Sequence, residues 1–467
     1  MSELPRGWAQ AALGDLAEFT NGKAFKKEEW REIGKPIIRI QNLNNPSAAF
    51  NYGDDSHEKK YLVRQGDLLV SWSASLGVYY WHGKEAWLNQ HIFRVHSLRG
   101  CDKRFLKYAL EISIDDFYAK AHGMGMVHIT KGSFENHLVS LPPLAEQSRI
   151  AQKLDEHLAQ VNTLKASINA IPTLLKRFRQ SVLAAAVSGR LTKEWRAENS
   201  SCAAHTQLSN LQANNDTLPD TSSLPMGWYL AIAADICGFI TKGTTPSKEK
   251  MTAGQGDVPY IKVYNLTFSG SLDFSVDPTF VDFGTHSVDL KRSIVKPGDV
   301  LMNIVGPPLG KVSIVPATYP EWNINQAIAR FRAGDGISSG YLALCLRTEE
   351  TLNHAASRAK ATSGQLNLTL EICRQLPLRV PPKVEQTEIV HRVEQLFAFA
   401  DQLEAKVVSA KSRIDHLTQS ILAKAFRGEL VPQDPNDEPA SVLLERTRAQ
   451  RAAQPKVRRG CKGALTH

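Results

Sequence analysis

The sequence predicts a mixed α/β protein, in which two similar α/β domains are joined by two long helices that pair as an antiparallel coiled coil. Three observations carry this: the chain repeats itself, the first part of each repeat varies in spacing, and the second part keeps a fixed spacing along an apolar heptad seam.

The repeat opens with Leu4-Pro5-Arg6-Gly7-Trp8, which returns as Leu224-Pro225-Met226-Gly227-Trp228, an offset of 220. Pro36 to Leu43 (PIIRIQNL) returns as Pro259 to Leu266 (PYIKVYNL) at 223, Gly66-Asp67 as Gly298-Asp299 at 232, and Asn89-Gln90 as Asn325-Gln326 at 236. Drift of this kind is what loop insertions between shared elements produce. From Gly125/Gly364 and Thr130/Thr369 onward the offset stays at 239, through Pro142-Pro143/Pro381-Pro382, Glu146-Gln147/Glu385-Gln386 and Gly189/Gly428.

An element that tolerates no insertion is one whose register matters, and a long helix is such an element. In the second copy Ile389, Val393, Leu396, Ala400, Leu403, Val407, Ala410, Ile414, Leu417 and Ile421 alternate steps of four and three. The first copy reads Ile150, Leu154, His157, Val161, Leu164, Ile168, Ile171, Leu175, Phe178 and Val182, with only His157 breaking the seam. The Pro-Pro pairs bar an earlier start, and Gly189 and Gly428 stand where C-terminal caps belong. Pro172 removes a backbone donor inside the first helix, so a local kink is expected there. The domains expected are 1–143 (first α/β domain), 144–196 (first helix), 197–219 (small, polar linker), 220–382 (second α/β domain), 383–430 (second helix) and 431–467 (basic tail with a short helix through Val442 and Leu443).

At 467 residues, 42% hydrophobic and 22% charged, the chain has the composition of a folded multidomain protein. No apolar run reaches the roughly 18 residues of a membrane span, and MSELPRGW lacks the pattern of a secretory signal, so a cytoplasmic location is expected. The six cysteines show no C-x-x-C pair or metal-ligand spacing and read as reduced and structural. The net charge of +9 is concentrated: residues 440–467 carry Arg446, Arg448, Arg451, Lys456, Arg458, Arg459 and Lys462 against Glu445, a net of +6, which leaves +3 for everything before. Charge alone therefore fits a basic tail as well as a nucleic-acid-binding body.

Two motifs invite catalytic readings. Asp277-Pro278-Thr279-Phe280 is close to the D-P-P-F loop with which adenine methyltransferases hold a flipped base, but it lacks the second proline and has no Gly-rich cofactor turn upstream. An ordinary turn is the better reading. Gly306-Pro307-Pro308-Leu309-Gly310-Lys311 has three residues between its glycines where a phosphate loop needs four, and Val312 replaces the metal-binding hydroxyl, so a tight turn after a strand is expected. Neither copy carries a hydrolytic constellation, and no catalytic or metal-binding residue is assigned.

A variable block opening with LPxGW, a helical block opening with PP..EQ, and a second copy of each together resemble the specificity subunit of type I restriction-modification systems, over residues 4 to about 430. The resemblance implies two mixed α/β target-recognition domains, each reading one half of a split DNA sequence. It implies helical blocks that space them and dock two methyltransferase subunits, with restriction (motor) subunits joining through the complex. Adenine methylation, ATP-driven translocation and cleavage would belong to those partners, which would use S-adenosylmethionine, ATP and Mg, whereas this subunit would need no cofactor. Two readers on a rigid bar can contact half-sites about one helical turn, roughly 34 Å, apart. The alternatives are a self-contained DNA methyltransferase or nuclease with diverged motifs, and a coiled-coil adaptor that binds only proteins.

On the DNA-binding reading, phosphates take Lys, Arg and hydroxyls, while base edges favour Asn, Gln and Arg. Three places qualify in each copy: Asn21 to Lys23 with Lys26 and Lys27, matched by Lys242, Thr244, Thr245 and Lys248; Arg39 to Asn42, matched by Lys262 to Asn265; and Asn89, Gln90 and His91, matched by Asn325 and Gln326. The competing view is that the shared Asn42/Asn265 and Asn89/Asn325 cap turns of the common fold. Base-specific residues should differ between copies, which favours Trp72 and Ser73 against Asn303, and His91 against Ala327. Lys131, Arg358 and Lys360 are either further phosphate contacts or solvated surface charges.

Overall fold

The structure, a computed structural model, describes residues 4–45, 47–73, 75–121, 129–199, 224–306, 308–362 and 365–453. The predicted linker beyond 199, the Gly125/Gly364 pair and the basic tail beyond Ala453 lie outside these residues. The chain divides into two compact units, Met1–Ile168 with Ser409–His467, and Asn169–Val408. Each holds one α/β domain and half of each long helix.

In the first unit Ala9–Ala12 pairs antiparallel with Leu138–Leu141. One four-stranded sheet runs in the order Ala17–Asn21, Ile92–Ser97, Leu68–Ser71, Gly77–Tyr80, antiparallel throughout. A second runs Asn51–Gly53, Lys35–Ile38, Ala86–Leu88, Leu62–Val63, with its central pair parallel. The second unit repeats this order strand for strand: Tyr229–Ile232 with Pro377–Val380; then Cys237–Lys242, Ile328–Ala333, Val300–Asn303, Val312–Ile314; then Thr279–Val281, Val258–Ile261, Trp322–Ile324, Ile294–Val295, where Thr252–Ala253 adds an outer strand. The registers also match. Ile37 lies opposite Trp87 and Tyr260 opposite Asn323, partners displaced by the same 223 and 236 that the sequence repeat gives.

The strands form where β-branched and aromatic residues alternate across two faces, as in Ile92–Ser97, which sends Phe93 and Val95 into the core and exposes His96. Phe19, Phe93 and Phe134 meet at centroid distances of 5.3–6.0 Å in the first core. The second core is centred on the helix Ser339–Leu346, whose residues Tyr341 to Leu346 are all buried.

The two long helices, Leu144–Val187 and Lys383–Phe426, are each 44 residues, begin directly after their Pro-Pro pairs and close on Gly189 (φ 74°) and Gly428 (φ 72°). Pro172 lies within a helix that continues past it on both sides. In the first unit Ile150, Leu154 and Leu158 share a core with Ile421, Leu422 and Ala425, and further along Lys165 pairs with Asp415 at 2.8 Å. In the second unit Phe178 and Val182 pack with Val393 and Leu396, Arg179 bonds Asp401 and Glu404 at 2.6 and 2.8 Å, and Arg392 donates to the Leu191 carbonyl at 3.0 Å. In both units one helix ascends in number where the other descends, so the pairing is antiparallel. A buried Leu or Ile contributes about 1.5–3 kcal/mol and an exposed ion pair about 0–1. The apolar seam therefore supplies the cohesion, and the ion pairs chiefly select the register.

The expected short helix near Val442 is 14 residues, Ala440–Ala453. Ala440 and Leu444 enter the first core, Arg448 pairs with Asp15 at 2.6 Å, and Arg446 and Arg451 bond Glu438 and the Gly14 carbonyl. Three of the seven tail cations thus have intramolecular partners.

Candidate nucleic-acid interface

The three stretches singled out in each copy converge on one rim. In the first domain Lys23 N–H donates to the Leu88 carbonyl (2.8 Å), Asn89 N–H to Ile38 (3.2 Å) and Trp72 N–H to His91 (3.2 Å). In the second, Thr244 donates to Ile324 (3.2 Å), Asn325 to Ile261 (3.0 Å) and Ile304 to Ala327 (2.9 Å). Glycine is required where the chain crosses this rim: a Cβ on Gly22 would stand 2.0 Å from the Asn89 carbonyl oxygen, and one on Gly243 2.1 Å from that of Ile324.

The rim carries cations. Lys26 and Lys27 in the first domain, and Lys242, Thr244, Thr245 and Lys248 in the second, are exposed, while Arg39 and Lys262 occupy equivalent half-buried positions at a strand end. Tyr260 steadies the threonine turn from beneath, its hydroxyl donating to the Thr244 carbonyl at 2.9 Å and meeting Thr245 Oγ1 at 3.2 Å. Lys23 is half-buried, ion-paired with Glu29 and 4.9 Å from the Phe25 ring centre. That ammonium, with the Lys26 amide, holds the Glu29 carboxyl below its ordinary range. An open cleft in the first domain is lined by Phe25, Trp30, Arg39, Gln41, Gln90 and His91, where Gln90 Nε2 and His91 Nε2 lie 3.1 Å apart.

Several expected contacts prove to be structural. Asn42 and Asn265 are 4% and 1% exposed; each accepts from the backbone amide of Arg39 or Lys262 (3.1 and 2.9 Å) and donates to two carbonyls of the loop that follows. Both amide N–H groups and one lone pair of the oxygen are occupied and the side chain is buried, so neither can read a base. Asn325 accepts from Ala327 N–H at 3.2 Å, a turn cap. Asn303 is buried, donating to Val305 and Pro308 carbonyls and accepting from Lys311 N–H. The register sets Asn303 opposite Ile328 as Ser71 is opposite Ile92, so its counterpart is buried Ser71, which bonds the Ser75 carbonyl at 2.6 Å, and not Trp72 or Ser73. Both close the loop after their strand, one by a hydroxyl and one by an amide. Trp72 stacks on Phe93 at 5.7 Å, and Ser73 is buried. Difference between copies therefore does not by itself mark a base reader, because two side chains can serve one structural task. Lys131 donates to the Phe19 carbonyl at 2.7 Å and pairs with Glu135 at 3.5 Å. Arg358 meets His354 at 3.1 Å, and Lys360 opens the strand Lys360–Thr362.

Gln41 and Tyr264, inside the two matched strand-end stretches but not singled out individually, are exposed on this rim. The signal was present: they are the chemically unlike pair between a matched cation and a matched asparagine. Gln326 is also exposed, whereas Asn325 in the same domain and Asn89, Gln90 and His91 in the first domain are half-buried.

Both motifs of catalytic appearance are turns. Phe280 is 5% exposed within a strand and cannot stack on a flipped base, while Gly310 (φ 95°) and the Asn303 bonds close the turn before Lys311. Cys101, Cys237, Cys345 and Cys373 are buried thiols outside any disulfide. Among the described residues no helix is long and apolar enough to cross a membrane, and no three His, Cys, Asp or Glu side chains are placed to hold a metal ion.

Each domain is tied to its helix through the repeated motifs. Trp8 Nε1 donates to Glu146 Oε2 at 3.1 Å and Trp228 Nε1 to Glu385 Oε2 at 2.9 Å. Gln147 accepts from Asp102 N–H (2.9 Å) and donates to the Pro142 carbonyl (3.0 Å), as Gln386 does with Ser338 (2.7 Å) and Pro381 (3.0 Å). Gly428 lies under Pro5, and Gly189 under Pro225.

With this geometry in place, residues 5–173 and 227–409 match the family model of the type I restriction modification DNA specificity domain. The chain is 33% identical to the specificity subunit of the type I restriction enzyme EcoBI from Escherichia coli, covering 96% of this chain and 93% of that one. It is 34% identical to the EcoDI specificity subunit from Escherichia coli, covering 97% of each. Among solved structures it resembles a chain from a study of assembly and conformational transition in the type I R-M system (TM-score 0.61, 18% identity, 92% of this chain and 100% of that one). It also resembles the HsdS subunit of Thermoanaerobacter tengcongensis (TM-score 0.52, 18% identity, 91% and 98%).

Proposed function

Since the chain belongs to the family of type I restriction-modification DNA specificity subunits, we propose that its two α/β domains each read one half of a bipartite target for partner subunits that carry out the chemistry. The protein is a DNA specificity subunit. The duplication carries the finer reading: two domains share strand order, register and the Trp–Glu tie, yet differ at exposed rim positions such as Gln41 and Tyr264. A common frame with unlike surface chemistry suits two readers of unlike half-sites.

On this reading Lys26, Lys27, Lys242 and Lys248 neutralise phosphates and hold the domains on the duplex, and base-edge contacts come from the rim between them. The exposed faces of the paired helices dock two methyltransferase subunits, through which the restriction subunits join. S-adenosylmethionine, ATP and Mg are used by those partners in the cytoplasm, and this subunit contributes no catalytic group. Replacing residues 220–380 with the matching block of a relative tests this. Methylated-base sequencing in cells carrying the hybrid should show one half of the target changed; a change in both halves, or methyl transfer by the purified chain alone, overturns it.

A further inference from the structure

We propose that Asp277 is a specificity-determining residue of the second domain, its carboxylate accepting a hydrogen bond from the exocyclic amino group of a cytosine or adenine in the major groove. The proposal rests on the reading of the chain as a DNA specificity subunit.

Asp277 is the only non-glycine residue with positive φ (45°) among the described residues. This backbone is disfavoured for a side chain bearing a Cβ, though least so for Asp and Asn, and such outliers gather at functional sites. It belongs to the turn before the strand Thr279–Val281, with its side chain 64% exposed. The Tyr264 hydroxyl donates to Asp277 Oδ2 at 2.5 Å, and Lys262 Nζ lies 3.7 Å from the same oxygen and 5.5 Å from the Tyr264 ring centre. One carboxylate oxygen is thus fixed by a phenol and an ammonium. The side chain remains 64% exposed beside Tyr264, on the rim proposed to meet DNA.

A carboxylate facing a polyanion is unfavourable unless its charge is balanced and its lone pairs meet donors. Lys262 supplies the balance. In the major groove the donors on bases are the N4 amino group of cytosine and the N6 amino group of adenine, whereas guanine N7 and O6 and thymine O4 are acceptors that a carboxylate repels. The residue therefore selects positively and rejects negatively. The first domain lacks the device at the equivalent places: the strand pairing that matches Phe280 with Tyr52 sets Ala49 in the place of Asp277, and Gln41 stands for Tyr264, while Arg39 preserves the cation. What distinguishes this difference from that between Asn303 and Ser71 is exposure: the Asp277 side chain is 64% exposed, whereas both of those are buried.

The test is selection of the full-length chain, its Asp277→Asn and its Tyr264→Phe variants on a randomised duplex library. Asparagine keeps the shape and tolerates the positive φ. Wild type should enrich a two-part motif in which one base pair of one half is held in a single orientation, the one that turns its cytosine or adenine amino group toward Asp277. Asp277→Asn should relax or change that position with a tenfold or greater loss of affinity for the original sequence, and Tyr264→Phe should weaken the same position less. Neither should alter the other half. If wild type selects a two-part motif and both variants select it unchanged, or if both halves change, the proposal is overturned while the specificity reading stands. If wild type selects no motif, that reading fails and the proposal with it.

Discussion

Trp228 and Glu385, 157 positions apart, are joined by a 2.9 Å hydrogen bond from the indole Nε1–H to a carboxylate oxygen that is also buried. Glu385 Oε1 in turn accepts from Thr192 Oγ1 at 2.6 Å and is ion-paired with Arg196. The first copy repeats the indole bond through Trp8 and Glu146, but Val431 and Pro435 follow Gly428 where Thr192 and Arg196 follow Gly189, and Glu146 Oε1 is buried without a hydrogen-bond partner.

Trp228→Phe removes a donor to a buried, charged acceptor and should lower stability by about 1–3 kcal/mol. Chemical denaturation of the full chain measures it. A loss below about 0.3 kcal/mol would show that Arg196 and Thr192 suffice to hold Glu385.

Glu146 behaves oppositely. Burial pushes its carboxyl up, against the lowering effect of the Trp8 bond and of Arg149. A carboxyl raised in the folded state favours folding most below its unfolded value, and this contribution is lost as pH rises through the folded value. Glu146→Gln, which removes the charge but keeps the acceptor for Trp8, should raise the melting temperature at pH 7 and leave it little changed near pH 4. Equal effects at both pH values would refute the ionisation argument.

Glu321 gives the reverse slope. His286, bonded by its two ring nitrogens to Asn323 Oδ1 (2.7 Å) and Glu321 Oε2 (3.0 Å), together with Lys296 holds that carboxyl below its ordinary range. A depressed carboxyl stabilises above its unfolded value and ceases to do so as pH falls through the folded one. Glu321→Gln should therefore destabilise the protein at pH 6 and converge with wild type in the acid limb of a pH-denaturation curve.

Phosphate neutralisation by exposed rim lysines predicts a salt signature. Lys27→Ala and Lys248→Ala should each weaken binding to all duplexes alike and flatten the slope of log affinity against log salt by about 1. A sequence-dependent loss with unchanged slope would reassign the residue from phosphate to base contact.

Gly189→Ala and Gly428→Ala place a Cβ at φ 74° and 72° and within 2.6 and 2.7 Å of the Pro225 and Pro5 rings. Each should cost more than about 1 kcal/mol. Thermal melts that match wild type would mean that the helix ends rearrange.

The repeat and the heptad period, both visible in the chain, determined the duplicated α/β plan and the two long helices, since offsets and apolar spacing are properties of sequence order. They also marked the rim, because Gly22/Gly243, Arg39/Lys262 and Asn89/Asn325 recur at matched positions. Only the tertiary structure decided what those residues do. Asn42, Asn265 and Asn303 have the chemistry of base readers, but each is enclosed by carbonyls of a loop that sequence spacing could not place, and a buried amide must satisfy its bonds internally. Tyr264 lies in the repeated strand-end stretch and Asp277 in a turn motif, but sequence order does not show that they meet; the folded loop between them brings the phenol to the carboxylate. Periodicity records which face of an element is buried; which side chains face each other across loops depends on the closure of the whole domain.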